Sequence, residues 1–253
     1  TTDLSVFPGA AAALEVNESV GNAQTLQYDA AGNVISRTDT RGNTTTYTYD
    51  AVNRLLSASY GSGLGATTQT YDAAGNVLSI TSPEGGAQYF AYDADNRAVR
   101  SLSEAGYLTV YQYDAAGNET ARYEYDGVYA LAADGSVPLP RGDDTARVTQ
   151  STWDSMNRLV TRTDSDGLIT TYSYDAAGNP TGSTTRTAAT TARSEGTLGY
   201  DSNDRIIRQV DAAGVVTTYT LNAVGNVLVK VEAAGTATAR TTTYTYDQGG
   251  LRL

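Results

Sequence analysis

The sequence predicts an all-β protein, an antiparallel meander of hairpins that forms a long curved or coiled β-sheet. Three observations lead to this prediction. First, a short unit beginning with Tyr-Asp recurs about every 21 residues. Second, each Asp is followed, at a fixed distance, by a residue of a type that tolerates positive φ. Third, the segments between these units are rich in Tyr and Thr, which favour strands. A steady period of this length is typical of repeat architectures.

The repeated unit first appears as Tyr28-Asp29-Ala30-Ala31-Gly32-Asn33-Val34. The chain contains ten units in all, with spacings of 21, 22, 21, 21, 40, 21, 26, 21 and 25 residues, and the spacing of 40 is interpreted as two periods with one degraded unit. The residues expected to build the repeat turns are Tyr28, Asp29, Gly32, Tyr49, Asp50, Asn53, Tyr71, Asp72, Gly75, Tyr92, Asp93, Asn96, Tyr113, Asp114, Gly117, Trp153, Asp154, Asn157, Tyr174, Asp175, Gly178, Tyr200, Asp201, Asp204, Gly225, Tyr246, Asp247 and Gly250.

The third residue after each Asp (Asn222 in the ninth unit) is Gly in six units, Asn in three and Asp in one. These residue types adopt the left-handed conformation at the lowest cost. Asp at the first position of a type I turn, followed by a left-handed residue, predicts a three-residue hairpin loop with a β-bulge. The Asp side chain is expected to accept a hydrogen bond from the backbone N–H two residues on.

A second kind of turn is predicted about half a period away, with Gly at its fourth position. Turns then fall every 10 or 11 residues and leave room for strands of six or seven residues between them. The second turns are predicted at residues Asp39 to Gly42, Ser82 to Gly85, Ser103 to Gly106, Asp164 to Gly167, Asp211 to Gly214 and Glu232 to Gly235.

Tyrosines lie two residues apart at the ends of several strands, as at Tyr47 and Tyr49. Residues two apart share one face of a strand, so equivalent tyrosines are expected to form a packing ladder with their hydroxyls in water at the rim. A platform on which a ligand stacks is the alternative. The turns also alternate: a left-handed Gly is followed by Asn, as at Asn33, and a left-handed Asn or Asp by Arg, as at Arg54. A salt bridge from this Arg to a neighbouring turn is expected to add little stability.

Composition excludes several kinds of site. The chain has no Cys and no His, so it has no disulfide, no zinc–thiolate site and no histidine-based catalytic triad. A net charge of −11 without a basic cluster disfavours nucleic-acid binding, and no apolar run is long enough for a membrane helix. Each turn supplies one Asp that caps its own backbone, which argues against calcium sites and paired catalytic carboxylates. We therefore predict no catalytic residue, no metal and no cofactor.

The chain divides into a segment at residues 1–25, predicted to be an edge strand or cap, and a repeat region at 26–253. Residues 126–150 interrupt the period and contain Pro138 and Pro140, which predicts an inserted loop or hairpin. The chain begins in the middle of the pattern, and we expect it to be part of a longer protein.

Ten Tyr-Asp units in sequence resemble the RHS/YD-repeat family, which includes Rhs polymorphic toxins, the B and C components of Tc toxins, and teneurins. The resemblance covers most of the chain from Leu26 to Leu253. It implies a sheet that forms part of a hollow β-shell, which in toxins encloses an effector polypeptide. The Asp-rich closing core of the toxin members has no counterpart in this sequence, so its self-cleaving residues are not assigned here.

The function that follows from the resemblance is a non-catalytic structural scaffold in a secreted or cell-surface protein. Its expected partners are polypeptides: an enclosed effector, other parts of the same shell, or a second copy paired through the sheet edges. The alternatives are a cell-surface adhesin or extracellular fibre and, in third place, a carbohydrate-binding module that uses exposed tyrosines on a cell-surface glycan.

Overall fold

The computed structural model describes residues 13–16, 24–61 and 63–253, and for residues 13–16 it describes the backbone alone. The described residues form β-strands joined by turns and connecting segments, and they contain no helix. Accordingly, no described segment is a helix suited to crossing a membrane. The predicted all-β class is confirmed.

Twenty strands lie within the described residues, and each Tyr-Asp pair before the last unit has its aromatic residue at a strand end. The strands are β1 (Ala13–Val16), β2 (Gln24–Tyr28), β3 (Val34–Thr38), β4 (Thr44–Tyr49), β5 (Leu55–Tyr60), β6 (Ala66–Tyr71), β7 (Val77–Thr81), β8 (Ala87–Tyr92), β9 (Ala98–Leu102), β10 (Tyr107–Tyr113), β11 (Glu119–Val128), β12 (Ala146–Trp153), β13 (Leu159–Thr163), β14 (Ile169–Tyr174), β15 (Pro180–Arg186), β16 (Arg193–Tyr200), β17 (Ile206–Asp211), β18 (Val216–Leu221), β19 (Val227–Glu232) and β20 (Arg240–Thr243).

The described residues fall into two compact units. The first contains the described part of Thr1–Tyr111 together with Glu124–Ala146, and the second contains Gln112–Tyr123 and Arg147–Leu253. In the first unit, the strands from β1 to β10 pair antiparallel in chain order, so that β1 pairs with β2 and so on up to β9 with β10. In the second unit, the strands from β12 to β20 pair in the same way, up to β19 with β20. This consecutive pairing is the predicted meander.

Within the segment predicted at residues 1–25, the structure describes β1 and the start of β2. Strand β1 pairs with β2, with Val16 opposite Gln24. The rest of that segment, residues 1–12 and 17–23, lies outside the described residues.

The pairing differs on the two sides of each strand. Across a Tyr-Asp turn the ladder reaches the turn and contains a β-bulge next to the tyrosine, as between β4 and β5, where the register shifts between Thr48 and Tyr49. The second kind of turn lies at the other end of the strands, and we call it the opposite turn. Across it the ladder is short: β3 and β4 pair only from Thr38 and Thr44 to Ser36 and Thr46. Strands joined by an opposite turn therefore stop pairing before they reach the Tyr-Asp turns.

Differences in connection length occur at the opposite turns, whereas the Tyr-Asp turns keep one length. Residues 129–145, 187–192 and 233–239 form the longer connections. The last of these differs from the predicted turn at Glu232 to Gly235, because Ala233 has a positive φ (51°) in addition to Gly235 (81°), and Thr236 donates its N–H to the Ala233 carbonyl. The turn is displaced by one residue and extended.

The spacing of 40 residues contains one repeat rather than two. Strands β11 and β12 are long, with 10 and 8 residues, and residues 129–145 connect them. The side chains of Asn118 and Asn157, in the two Tyr-Asp turns at the ends of this interval, are directly hydrogen-bonded at 2.9 Å. The interpretation of a degraded unit is therefore wrong, and the extra residues belong to a long connection between two adjacent turns.

Residues 129–144, which we call the strap, cover the main apolar cluster of the first unit. Leu102, Leu108, Tyr129 and Val137 are buried there. At the base of the strap, Asp144 accepts hydrogen bonds from the Tyr129 hydroxyl and from Arg141 Nε, and the Arg141 guanidinium lies 4.5 Å from the centre of the Tyr129 ring. The strap lies inside the segment 126–150 for which an inserted loop or hairpin is predicted.

Replacing Gly75 by Ala tests the requirement for left-handed backbone. Gly75 has φ +96°, and an added Cβ would meet nothing closer than Arg54 Nη1 at 3.7 Å, so the expected loss of about 1–2 kcal/mol in unfolding free energy comes from the backbone itself. Urea denaturation measures it. Gly75→Asn should lose less, because Asn occupies the same position in other units.

Gly142→Ala is the matched control, since Gly142 has no positive φ and an added Cβ would lie in open space. Its unfolding free energy should change by less than about 0.5 kcal/mol. Equal losses at Gly75 and Gly142 would contradict the assignment.

Candidate functional site

The candidate site is the row of Tyr-Asp turns along one side of the strands in each unit. Asp72 shows the geometry of a single turn. Its N–H donates to the Asn76 carbonyl (2.9 Å), and its own carbonyl accepts from the Gly75 N–H (3.2 Å). Its carboxylate accepts from both the backbone N–H and the side-chain amide of Asn76, at 2.8 and 2.9 Å. One Asp side chain therefore closes the turn.

All ten predicted left-handed positions have positive φ. The values are 89° at Gly32, 64° at Asn53, 96° at Gly75, 60° at Asn96, 90° at Gly117, 59° at Asn157, 97° at Gly178, 58° at Asp204, 97° at Gly225 and 81° at Gly250. In the ninth unit Asn222 replaces Asp, and its side-chain oxygen still accepts from the N–H groups of Val224 and Asn226. The backbone geometry of the turn therefore tolerates loss of the charge.

Hydrogen bonds keep the turn aspartates ionised. The Asn76 side-chain amide lowers the pKa of Asp72 below its ordinary value, and burial of the carboxylate partly opposes this effect. For Asp93 the backbone N–H of Arg97 is the largest cause of the lowered pKa, followed by the opposing effect of burial and then by the Arg97 side chain. The same direction holds for Asp29, Asp50, Asp114, Asp154, Asp175 and Asp201.

In four turns, the Asn after the left-handed Gly connects its turn to the following turn. Asn33 Nδ2 donates to Asn53 Oδ1 at 2.7 Å, and Asn76 Nδ2 to Asn96 Oδ1 at 2.8 Å. Asn118 donates to Asn157 at 2.9 Å and Asn179 to Asp204 at 2.6 Å in the second unit. The acceptor in each case is the left-handed Asn or Asp of the next turn, which explains why the residue there has a side-chain oxygen.

Arg54, Arg158 and Arg205, which each follow a left-handed Asn or Asp, connect their turns to the next one by a different bond. Arg54 Nε donates to its own Asp50 carboxylate at 2.6 Å, and its Nη1 donates to the Asp72 backbone carbonyl at 3.1 Å. Its guanidinium also lies 4.6 Å from the centre of the Tyr71 ring, within the range of cation–π attraction. Arg158 makes the same contacts with Asp154, Asp175 and Tyr174.

These two bonds alternate, and we call the resulting series the turn relay. It accounts for the alternation of Gly-Asn with Asn-Arg, for which the sequence suggested a salt bridge to a neighbouring turn. That suggestion is corrected: Arg54, Arg97, Arg158 and Arg205 each pair with the Asp of their own turn. The contacts to the neighbouring turn that the structure describes, from Arg54, Arg158 and Arg205, are made to backbone carbonyls.

Tyrosine hydroxyls close the gap where the ladder of the opposite turns ends. Tyr49 OH donates to the Val34 carbonyl at 2.9 Å, and Val34 is the fifth residue after Asp29. The same offset holds for Tyr71 to Leu55, Tyr92 to Val77, Tyr174 to Leu159, Tyr200 to Pro180 and Tyr246 to Val227. Trp153 Nε1 donates to the Glu119 carbonyl in place of a hydroxyl. The expectation of hydroxyls left in water is wrong for these residues.

Burial of the phenol raises the pKa of Tyr49 and of Tyr92 above the ordinary value. Electrostatic interactions add to the rise in pKa: with Tyr47 and then Asp29 at Tyr49, and with Asp72 at Tyr92. Both hydroxyls therefore remain protonated donors at neutral pH.

Two residues near the C-terminal end depart from the pattern. Leu221 stands where other units have Tyr or Trp and has no donor for a carbonyl. Gly250 stands opposite Asn226 and has no side-chain oxygen to accept from it. One hydroxyl bond of the tyrosine type and one Asn bond of the turn relay are therefore missing there.

The carboxylates of the described turns do not gather into a metal centre. Within the described part of the chain, no group of three or more Asp and Glu side chains lies close enough to hold a metal ion. The turn carboxylates already accept hydrogen bonds from their own turns, so the arrangement positions backbone rather than reacting groups.

A family model described as RHS Repeat matches residues 28–64, 153–191 and 200–238. These three stretches are RHS repeats. They lie on Tyr-Asp turns and the strands beside them, and together they span just under half of the chain. No curated protein matches the chain in sequence.

Among solved structures, the chain is similar to TcdB2-TccC3 crystallised without its hypervariable C-terminal region. The TM-score is 0.71 at 19% identity, over 91% of this chain and 12% of that one. The Tc holotoxin pore of Photorhabdus luminescens also matches, at 17% identity over 91% of this chain and 15% of its own, with a TM-score of 0.41. The first similarity shows that the fold is that of the Tc toxin shell, and the chain spans about an eighth of that structure's length.

Replacing Tyr49 by Phe tests the hydroxyl bond to the Val34 carbonyl. Losing the donor leaves a partly buried acceptor without its partner, so the unfolding free energy should fall by about 1 kcal/mol. Thermal and urea denaturation measure it. Tyr107→Phe is the control, since Tyr107 is 53% exposed, and its stability should be unchanged. An unchanged Tyr49→Phe protein would show that this bond adds no stability.

Replacing Asp72 by Asn tests the ionised carboxylate. The folded-state pKa of Asp72 lies below the ordinary 3.8, so its contribution to stability is present above about pH 4 and is lost as the pH falls through the folded value. The wild type should have the higher urea midpoint at pH 7, and its advantage over Asp72→Asn should shrink below pH 4.

Asp166→Asn is the control for this comparison, because Asp166 is an exposed residue in the middle of an opposite turn. Its urea midpoint should follow that of the wild type at every pH. A difference between wild type and Asp72→Asn that stays constant from pH 7 to pH 2 would contradict the role of the charge.

Proposed function

We propose that the chain is a segment of the wall of an RHS β-shell that encloses an effector or partner polypeptide in a secreted protein. The observation that carries this proposal is the fold: 91% of the chain superimposes on a Tc toxin shell structure with a TM-score of 0.71. An extracellular location follows from the same relationship.

The site described above is suited to a wall. Globular domains gain most of their stability from a buried apolar core, whereas the buried apolar side chains of the described residues are few: Ala58, Leu102, Leu108, Ala121, Tyr129 and Val137. The turn relay and the tyrosine bonds instead connect each repeat to the next along one side. Such a sheet can extend by adding repeats without needing a second layer, which is what a thin wall requires.

The proposed partner is therefore a polypeptide held behind the wall. Adhesion to a cell surface and binding of a glycan are alternative functions, and neither is favoured by a particular contact in the described residues. They become the conclusion if the enclosed polypeptide is not found.

Protection from protease tests the enclosure. The complete gene product containing this segment is treated with proteinase K, and the surviving peptides are identified by mass spectrometry. We expect a polypeptide outside the repeats to survive as long as the wall is intact. The double variant Asn33→Ala/Asn76→Ala, which removes two bonds of the turn relay, should shorten its survival.

Asn43→Ala is the matched control, because Asn43 bonds to its own turn residue Asp39 in an opposite turn and not to a neighbouring turn. Its protection should equal that of the wild type. Digestion of every polypeptide outside the repeats at the rate seen in urea would overturn the proposal of enclosure.

A further inference from the structure

The two faces of the sheet in the first unit carry different side chains. The strand register places on one face a continuous set of small polar residues between β3 and β7, linked by pairs such as Thr46 with Ser59 and Ser57 with Thr68. We call this the hydroxyl face. Its residues are Ser36, Thr38, Thr44, Thr46, Thr48, Ser57, Ser59, Ala66, Thr68, Thr70, Ser79 and Thr81.

Hydroxyl groups on this face bond to one another across the strands. Thr70 Oγ1 lies 2.6 Å from Ser79 Oγ, and Thr38 Oγ1 lies 2.9 Å from Thr44 Oγ1. Thr46, Thr48 and Thr68 are exposed. No charged or large apolar residue occupies the paired positions of the hydroxyl face from β3 to β7.

The opposite face, which we call the tyrosine face, carries larger side chains. The register places Tyr47 beside Ala58 and Thr45 beside Tyr60, and Gln69 beside Ile80. Ala58 is buried on this face. Its cross-strand partner is the larger side chain of Tyr47. Arg37, which is exposed, also lies on this face, opposite Thr45.

The difference in side-chain size between the two faces favours one direction of bending of the sheet. Side chains on the inner face of a bent sheet converge and those on the outer face spread apart, because all of them project along the normal to the strands. Ser, Thr and Ala fit the crowded inner side, and Tyr, Ile and Gln fill the wider outer side. This distribution favours bending toward the hydroxyl face.

A polypeptide segment already lies on this side of the sheet. The register continues the hydroxyl face from Ser79 to Tyr89, then to Leu102 and Leu108. These three apolar side chains pack against the strap residues Tyr129 and Val137. Apolar residues thus appear on this face where the chain's own strap covers them, and the uncovered part is polar.

Beside the strap the same face forms a groove of about 700 Å³. Thr70, Ser79 and Tyr89 of the sheet line it together with Asp134 and Ser136 of the strap. Three aromatic rings, those of Tyr89, Phe90 and Tyr92, and three carboxylates, those of Asp72, Asp93 and Asp134, complete the lining. The groove therefore offers hydrogen bonds and a modest apolar surface to an extended polypeptide.

We infer that the hydroxyl face is turned toward the enclosed polypeptide and that the tyrosine face is turned outward. This inference rests on the proposed function and adds the surface that meets the cargo. The partner is the polypeptide of the proposed function, and between β3 and β7 it meets mainly the hydroxyl groups of the wall.

Site-specific crosslinking tests the orientation in the complete gene product. This segment contains no Cys, so within it single cysteines can carry a benzophenone maleimide at one chosen position. Thr46→Cys and Thr68→Cys place the probe on the hydroxyl face, and Arg37→Cys and Gln88→Cys place it on the tyrosine face at similarly exposed positions. The probe is attached under denaturing conditions before refolding, and crosslinked peptides are identified by mass spectrometry.

We expect crosslinks to a polypeptide outside the repeats at least tenfold more often from Thr46→Cys and Thr68→Cys than from the other pair. An equal yield, or a higher yield from Arg37→Cys and Gln88→Cys, overturns the orientation while leaving enclosure intact. Absence of such crosslinks from all four positions, with each probe shown to be attached, overturns both the orientation and the enclosure.

Discussion

The fold depends on a backbone kink that one carboxylate holds in place. In each Tyr-Asp turn the residue three positions after the Asp takes positive φ, and the Asp side chain satisfies the N–H groups that this conformation leaves without a ladder partner, as Asp72 does for Asn76. A residue that avoids positive φ, or a side chain without an oxygen, would open the hairpin. The strands on both sides, the bulge next to the tyrosine and the register of each sheet follow from this kink.

Contacts between repeats supplement the small core. Each hydrogen bond of the turn relay or of a tyrosine hydroxyl contributes on the order of 1 kcal/mol, which is modest beside the burial of a large apolar side chain. Their number compensates, because every repeat makes them again with its neighbour. Stability is then distributed along the row of turns, and the apolar cluster under the strap is a local addition.

Local features were predictable from the sequence, and contacts between repeats were not. The period, the hairpins and the left-handed positions follow from residue type at fixed offsets, as at Gly32 and Asn53. The acceptor of Tyr49 was missed because it depends on where β3 and β4 stop pairing, which residue type does not reveal. The Asp72 carbonyl that accepts from Arg54 was missed for the same reason. The signal for it was the strict alternation of Asn and Arg after successive left-handed residues, as at Asn33, Arg54 and Asn76.

The alternation of the turn relay sets a rule for how such arrays can change length during evolution. A Gly-Asn turn offers an amide donor that needs an Asn or Asp oxygen in the next turn, and an Asn-Arg turn offers a guanidinium to the turn after it. Deleting or duplicating a single repeat brings two turns of one class together, and two adjacent Gly-Asn turns leave an amide without its side-chain acceptor. Gains and losses by recombination are therefore tolerated best in even numbers of repeats.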